Sequence, residues 1–131
     1  MAPHIEFPSL GLQDNFDLPW IIDADASDQR LGSCLSQVVD GLERPVAFAS
    51  RRLQPAESKW HIREKEALGI VWALENFRHY LLGAKFIVRT DHSSLQWLKN
   101  AKSGRLCRWA LRLAEFGDFE IIHRSGKVHA T

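Results

Sequence analysis

Cysteine is scarce in these 131 residues, long apolar runs are missing, and no glycine motif that holds a nucleotide or a nucleophile occurs. The two cysteines, Cys34 and Cys107, lie far apart, and neither belongs to a Cys-x-x-Cys pair or a Cys/His cluster. That excludes a zinc site and a disulfide framework. It leaves each thiol as a small, apolar-like residue in a reducing compartment. No apolar stretch approaches the ~20 residues that cross a bilayer. Met1–Leu12 has neither the basic nor the apolar region of a secretory leader. The expectation is an intracellular, cytoplasmic protein with no membrane partner. There is no Gly-x-Ser-x-Gly elbow and no dinucleotide or P-loop glycine pattern. The six histidines form no His-Glu-x-x-His pair. Serine-nucleophile, nucleotide-binding and zinc-hydrolase chemistries therefore have no support.

What is present is ordinary in amount and uneven in distribution. With 45% hydrophobic and 25% charged residues, the chain has the composition of one globular domain. Its formal net charge is only +1, but the signs are segregated. Residues 1–29 hold six acids and no Lys or Arg, whereas residues 92–114 hold five bases and no acid. Such a chain can offer a basic surface to a polyanion beside an acidic pocket for cations.

Residues 1–15, with Pro3, Pro8 and Gly11, read as an irregular lead-in. Leu18–Ala24, Leu31–Val39 and Pro45–Arg51 read as three strands of an antiparallel meander, the latter two separated by the turn signal Asp40-Gly41. From about Trp60 to Leu82, Ala67, Ile70, Val71, Leu74, Phe77 and Leu81 recur at three- and four-residue spacing, which predicts one long helix. Ser58 or Pro55 can start it and Gly83 can end it. Lys85–Thr90 alternates as a strand. Short helices are expected near Ser93–Leu98 and Gly104–Phe116, then a strand over Asp118–His123 and a turn at Ser125-Gly126. The order β-β-β-α-β-α-α-β makes an α/β fold with a mixed sheet. Strands joined through the long helix are expected to be parallel neighbours.

Three carboxylates stand out by position. Asp25 lies where the first strand ends, and Asp91 lies at the end of the strand after the long helix. Carboxyl ends of adjacent strands are the usual place for a site in α/β sheets. Glu66 lies on or beside the core-facing stripe of the helix. Burying one carboxylate costs several kcal/mol without compensation, and grouping three adds mutual repulsion. A divalent cation removes both penalties. Oxygen donors with no His or Cys beside them favour Mg²⁺ or Mn²⁺ over zinc.

These positions fall within a recognisable series of motifs. Asp25-Ala26-Ser27 is followed by Pro45–Leu53 (PVAFASRRL), Glu64–Gly83 (EKEALGIVWALENFRHYLLG), Thr90–Leu98 (TDHSSLQWL), Arg105–Leu113 (RLCRWALRL) and Phe119–Lys127 (FEIIHRSGK). Together they resemble the ribonuclease H domain that follows the reverse transcriptase in gypsy-like LTR retrotransposon polyproteins. Even the lead-in Ala2–Pro8 is similar to the family's connection out of the polymerase part. The likeness covers nearly the whole chain.

The resemblance implies a ribonuclease H-like fold, a five-stranded mixed sheet flanked by helices. It implies that residues 1–15 are a linker and that residues 16–131 form the domain without its C-terminal helix. It implies an endonuclease that cuts the RNA strand of RNA–DNA hybrids during reverse transcription. Four carboxylates would hold two Mg²⁺ (or Mn²⁺) ions. Mapped by motif, three of them are Asp25, Glu66 (with Glu64 as the neighbouring alternative) and Asp91. The fourth is an Asp shortly after the last strand, and these 131 residues hold no Asp or Glu beyond Glu120. His129 lies near that place without an assigned role. Impaired turnover is the expectation, with a catalytically inactive nucleic-acid-binding or tether domain as the alternative. Lys99, Lys102, Arg105, Arg108 and Arg112 are the candidate phosphate contacts, with 105, 108 and 112 on one helix face. The implied partners are an RNA–DNA hybrid and the polymerase domain of the parent polyprotein, in the element's cytoplasmic virus-like particle.

Overall fold

Asp40 and Gly41 both adopt positive φ, 54° and 76°, the two-residue turn whose twist matches antiparallel strands. In the computed structural model, which describes residues 20–90, 104–117 and 119–123, this turn joins β2 (Arg30–Val39) to β3 (Leu42–Arg52). The strand β1 (Trp20–Ala26) pairs antiparallel with β2. Serine chemistry tightens the turn between them. Ser27 Oγ accepts from the backbone N–H of Arg30 at 3.1 Å and of Gln29 at 3.3 Å. The expected lead-in, the Ser93–Leu98 helix and the Ser125-Gly126 turn lie outside the described residues.

The chain then forms α1 (Pro55–Ser58), α2 (Ile62–Asn76) and α3 (Arg78–Leu81) before β4 (Phe86–Thr90), α4 (Gly104–Ala114) and β5 (Glu120–His123). The expected helix from about Trp60 to Leu82 is thus two pieces, α2 and α3, with α1 a separate turn before them. Pro55 opens only α1. Its Glu57 accepts from Gln54 N–H at 2.8 Å, and both Glu57 oxygens take hydrogen bonds from Arg51. The break between α2 and α3 is at Phe77, which leaves helical backbone at φ −108°, ψ 26°. Spacing could not reveal it, because Leu74, Phe77 and Leu81 keep a three–four rhythm across the break and all are buried. Gly83, at φ 82°, ends the run as expected.

The sheet has five strands in the order β3-β2-β1-β4-β5, with β1–β4 and β4–β5 parallel. Here one expectation is corrected. β3 and β4, the strands joined through the long helix, are not neighbours; the crossover carries β4 past β2 to the far side of β1. The physical reason lies in β3 itself. Pro45 has no N–H for a ladder, and Leu42, Glu43, Arg44 and Phe48 are exposed. Such a strand belongs at an edge. Its ladder with β2 also shifts register between Leu35 and Ser36, opposite Pro45.

The central helix is buried on almost every side. Its Ala67, Ile70, Val71 and Leu74 pack on Ile22, Ala24, Leu31, Leu35 and Val88 of the sheet, and Trp109, Leu113 and Phe116 close the core from α4 and its end. Burying each large aliphatic side chain stabilises the fold by roughly 1.5–3 kcal/mol. Because strand side chains alternate, Ile22 and Ala24 face the helices, and Asp23 and Asp25 stand on the other face.

Candidate active site

Asp25 is exposed near the end of β1, and its Oδ1 accepts from the backbone N–H of Ala26 at 3.0 Å. The parallel register sets Asp23 of β1 against Arg89 of β4, so the two strands finish side by side. Asp91, the next residue after β4, lies outside the described residues, as do Lys99 and Lys102.

Gly69 decides how close α2 comes to this strand end. A Cβ there would lie 3.4 Å from the Asp25 carbonyl oxygen and 3.8 Å from Ala26 Cβ. Glycine costs a helix interior about 1 kcal/mol relative to alanine, and here it allows helix and strand to touch. Glu66, three residues earlier, shares that helical face and is half-buried. The helix therefore carries Glu66 to the end of the sheet where Asp25 stands. Beside it, the buried Lys65 donates to the carbonyl of Asp28 at 3.2 Å, pinning the turn that follows Asp25.

The alternative, Glu64, points elsewhere. It accepts from Arg105 Nη2 at 2.8 Å, linking α2 to α4. The Arg105 guanidinium lies 3.8 Å from the Trp60 ring centroid, and Trp60 lies against Trp109 with centroids 5.7 Å apart. This cluster bears on two sequence expectations. Of the two acids, Glu66 is the one on the face that meets β1. Unlike Arg108 and Arg112, Arg105 is engaged within the fold: its charge is matched by Glu64 and its plane lies over Trp60. Arg108 and Arg112 are exposed, as a polyanion-binding surface requires. No local pattern reveals the Arg105 cluster, because its partners lie 41 and 45 residues back in the chain. Gly69 did carry a signal, an isolated glycine inside a strongly periodic helix.

An oxygen-only donor set of Asp25 and Glu66 fits a hard divalent cation better than zinc. Among the described residues, no group of three His, Cys, Asp or Glu side chains forms a metal-holding cluster; the third expected acid is Asp91. Asp23 is otherwise engaged. Arg89 donates to its two oxygens at 2.8 and 2.9 Å and also to Glu43. Hydrogen bonding to Asp23, ahead of the contribution from Glu43, raises the Arg89 pKa further above its ordinary range. Cys34, paired across the ladder with Asp23, has its thiol pKa pushed up by burial, in keeping with an inert role.

Residues 15–116 match the model of the RNase H-like domain found in reverse transcriptase. The chain is 43% identical over 128 residues to the retrovirus-related Pol polyprotein from transposon 297 of Drosophila melanogaster, covering 96% of the chain and 12% of that protein. It is 39% identical to the corresponding polyprotein from transposon opus of the same fly, covering 86% of the chain and 11% of the relative. It thus spans about an eighth of the length of these relatives. Among solved structures, a foamy viral protease–reverse transcriptase in complex with RNA/DNA hybrid superposes with a TM-score of 0.65 at 20% identity, over 88% of this chain and 16% of the other. LC11-RNase H1, isolated from compost, gives a TM-score of 0.57 at 15% identity, over 82% of this chain and 84% of the other. The fold is RNase H-like. No helix among the described residues is long and apolar enough to cross a membrane. The chain belongs to the RNase H-like domains of reverse transcriptases, of the kind found in gypsy-like retrotransposon polyproteins.

Proposed function

We propose that this domain hydrolyses the RNA strand of RNA–DNA hybrids with Mg²⁺ or Mn²⁺. The observation that carries the reading is the seat of α2 on the end of β1 at Gly69, which sets the helix carrying Glu66 against the Asp25 backbone. Asp25, Glu66 and Asp91 would hold the cations, ideally two. Bound there, they would supply Lewis-acid activation of the attacking water and stabilisation of the leaving 3′-oxygen. The protein's own share is positional. β1 presents Asp25 at an exposed strand end, Gly69 lets α2 approach, and Lys65 fixes the adjoining turn. Arg108 and Arg112 would contact phosphates, and preference for RNA would come from 2′-hydroxyl contacts and groove shape. The foamy viral likeness on an RNA/DNA hybrid supports this substrate. In the parent polyprotein the domain would work beside the polymerase, inside the element's cytoplasmic particle.

The test is cleavage of a hybrid labelled on either strand, with Mg²⁺ or Mn²⁺, by the 131-residue chain and by Asp25→Asn. Cutting confined to the RNA strand and lost in the variant is the expected result. The rate is expected to be low, because these residues supply three of the four implied acids. Cleavage unaffected by Asp25→Asn would overturn the site. Tight hybrid binding with no cutting in either metal would favour the tether role.

A further inference from the structure

The β2–β3 hairpin ends beside Asp25 in an arrangement that the carboxylates do not explain. Arg30 opens β2 and Arg52 closes β3, and the register sets them directly opposite each other. Leu31 between Arg30 and Gly32 is fully buried under the helices, so alternation places Arg30, Gly32, Ser50 and Arg52 on the same face as Asp25. Both arginines are exposed. Like charges directly opposite destabilise a sheet, and neighbouring arginines avoid that cost by pairing. Arg51 is matched by Glu57, Arg89 by Asp23 and Glu43, and Arg105 by Glu64. Arg30 instead donates to the Ser50 hydroxyl at 3.3 Å. Among the described residues, neither Arg30 nor Arg52 has a carboxylate partner.

The backbone beneath the pair is fixed. Ser27 N–H donates to the Arg30 carbonyl at 2.9 Å, and Leu53 N–H donates to the Gln29 carbonyl at 2.8 Å. Gly32 lies between the pair and the acid, opposite Asp25 on one side and Ser50 on the other. A Cβ at Gly32 would meet nothing within 4 Å, and its φ is not in the left-handed region. Neither packing nor torsion demands glycine there. Its effect is one position of bare backbone, about 5 Å (one strand spacing) from Asp25 and about 7 Å (two residues of rise) from Arg30.

We propose that Arg30 and Arg52 clamp a backbone phosphate of the nucleic-acid strand that crosses Gly32 on its way to Asp25. This rests on the nuclease reading above. An anion between the guanidiniums removes their repulsion and matches their planar donors. The clamp reads charge, so it holds the strand in place without selecting sequence.

The test is hybrid binding by the full 131-residue chain in metal-free buffer, measured across salt concentrations. Each phosphate contact contributes roughly −0.9 to the log–log salt slope on B-DNA. Arg30→Ala/Arg52→Ala is expected to flatten the slope by about one, the share of a single phosphate, and to weaken binding about tenfold. Arg30→Glu places opposite charges across the pair, so its thermal midpoint is expected to hold or rise while hybrid affinity falls. A structural role would move both downwards together. If the parent chain binds hybrid and both variants keep its slope and affinity, the clamp is overturned and the nuclease reading stands. If the parent chain shows no salt-dependent binding, the nuclease reading fails and the clamp falls with it.

Discussion

Asp23 and Asp25 stand two residues apart on one face of β1, in opposite surroundings. Around Asp23 the sheet face is neutralised from within: Arg89 grips its carboxylate at 2.8 and 2.9 Å and reaches Glu43 on the edge strand. Around Asp25 it is not. Its described hydrogen bond comes from the adjoining Ala26 N–H, and on the neighbouring strands Arg30 and Arg52 face each other. Charges in the middle of the face are spent on holding strands β1, β3 and β4 together. At the strand ends, Arg30 and Arg52 have no carboxylate partner among the described residues. One face therefore divides into a structural row and a receptive row about 7 Å apart, two residues of strand rise.

The comparison is broken or sharpened most sharply by the paired substitutions Asp23→Asn and Asp25→Asn. Asp25→Asn is expected to lower hybrid cleavage by two or more orders of magnitude, about 3 kcal/mol of barrier, with its unfolding midpoint in denaturant essentially unchanged. Asp23→Asn is expected to do the reverse, costing about 1–3 kcal/mol of stability while the folded protein cuts at its former rate. A large rate loss in Asp23→Asn without unfolding would erase the distinction.

The arginines of α4 extend the same contrast. Arg105→Ala is expected to cost about 1 kcal/mol, from a part-exposed ion pair and a stacking contact. It should leave the salt slope of binding unchanged. Arg108→Ala/Arg112→Ala should leave stability within about 0.5 kcal/mol and flatten that slope. Equal slopes in both variants would return Arg105 to the binding surface.

The smallest effect is a pH dependence at Arg51, next to Arg52 and on the opposite face. The hydrogen bonds from Arg51 hold the Glu57 carboxyl below its ordinary value of 4.5. A depressed folded-state pKa means that the contribution is full above the ordinary carboxylate range and fades as pH falls through the lower, folded value. Glu57→Gln is expected to cost about 1 kcal/mol at neutral pH and to make stability less sensitive to acid. An unchanged acid profile in thermal melts would show that the pair is energetically idle.

The parts legible in the sequence are those decided by near neighbours. Asp40-Gly41 specifies its turn, the stripe from Ala67 to Leu81 marks the buried face, and the strand ends at Ala26 and Thr90 mark the candidate site. Partners remote in sequence decide the rest. The order of β3 and β4 depends on which strand can tolerate an edge, and Glu64 could not be separated from Glu66 until Arg105 claimed the former. Asp91, Lys99 and Lys102 lie outside the described residues, so their part in the site still rests on the sequence.

The register shift opposite Pro45 has a consequence for crowding. An 11-residue edge strand with Leu42 and Phe48 exposed is a template on which another chain can grow a sheet. Pro45 withholds an N–H midway along it, and the shift splits the edge into two short stretches bordered by Glu43, Arg44, Arg51 and Arg52. Ordered self-assembly needs an uninterrupted rim. The residue that keeps β3 at the edge of its own sheet also interrupts that edge as a template for another strand.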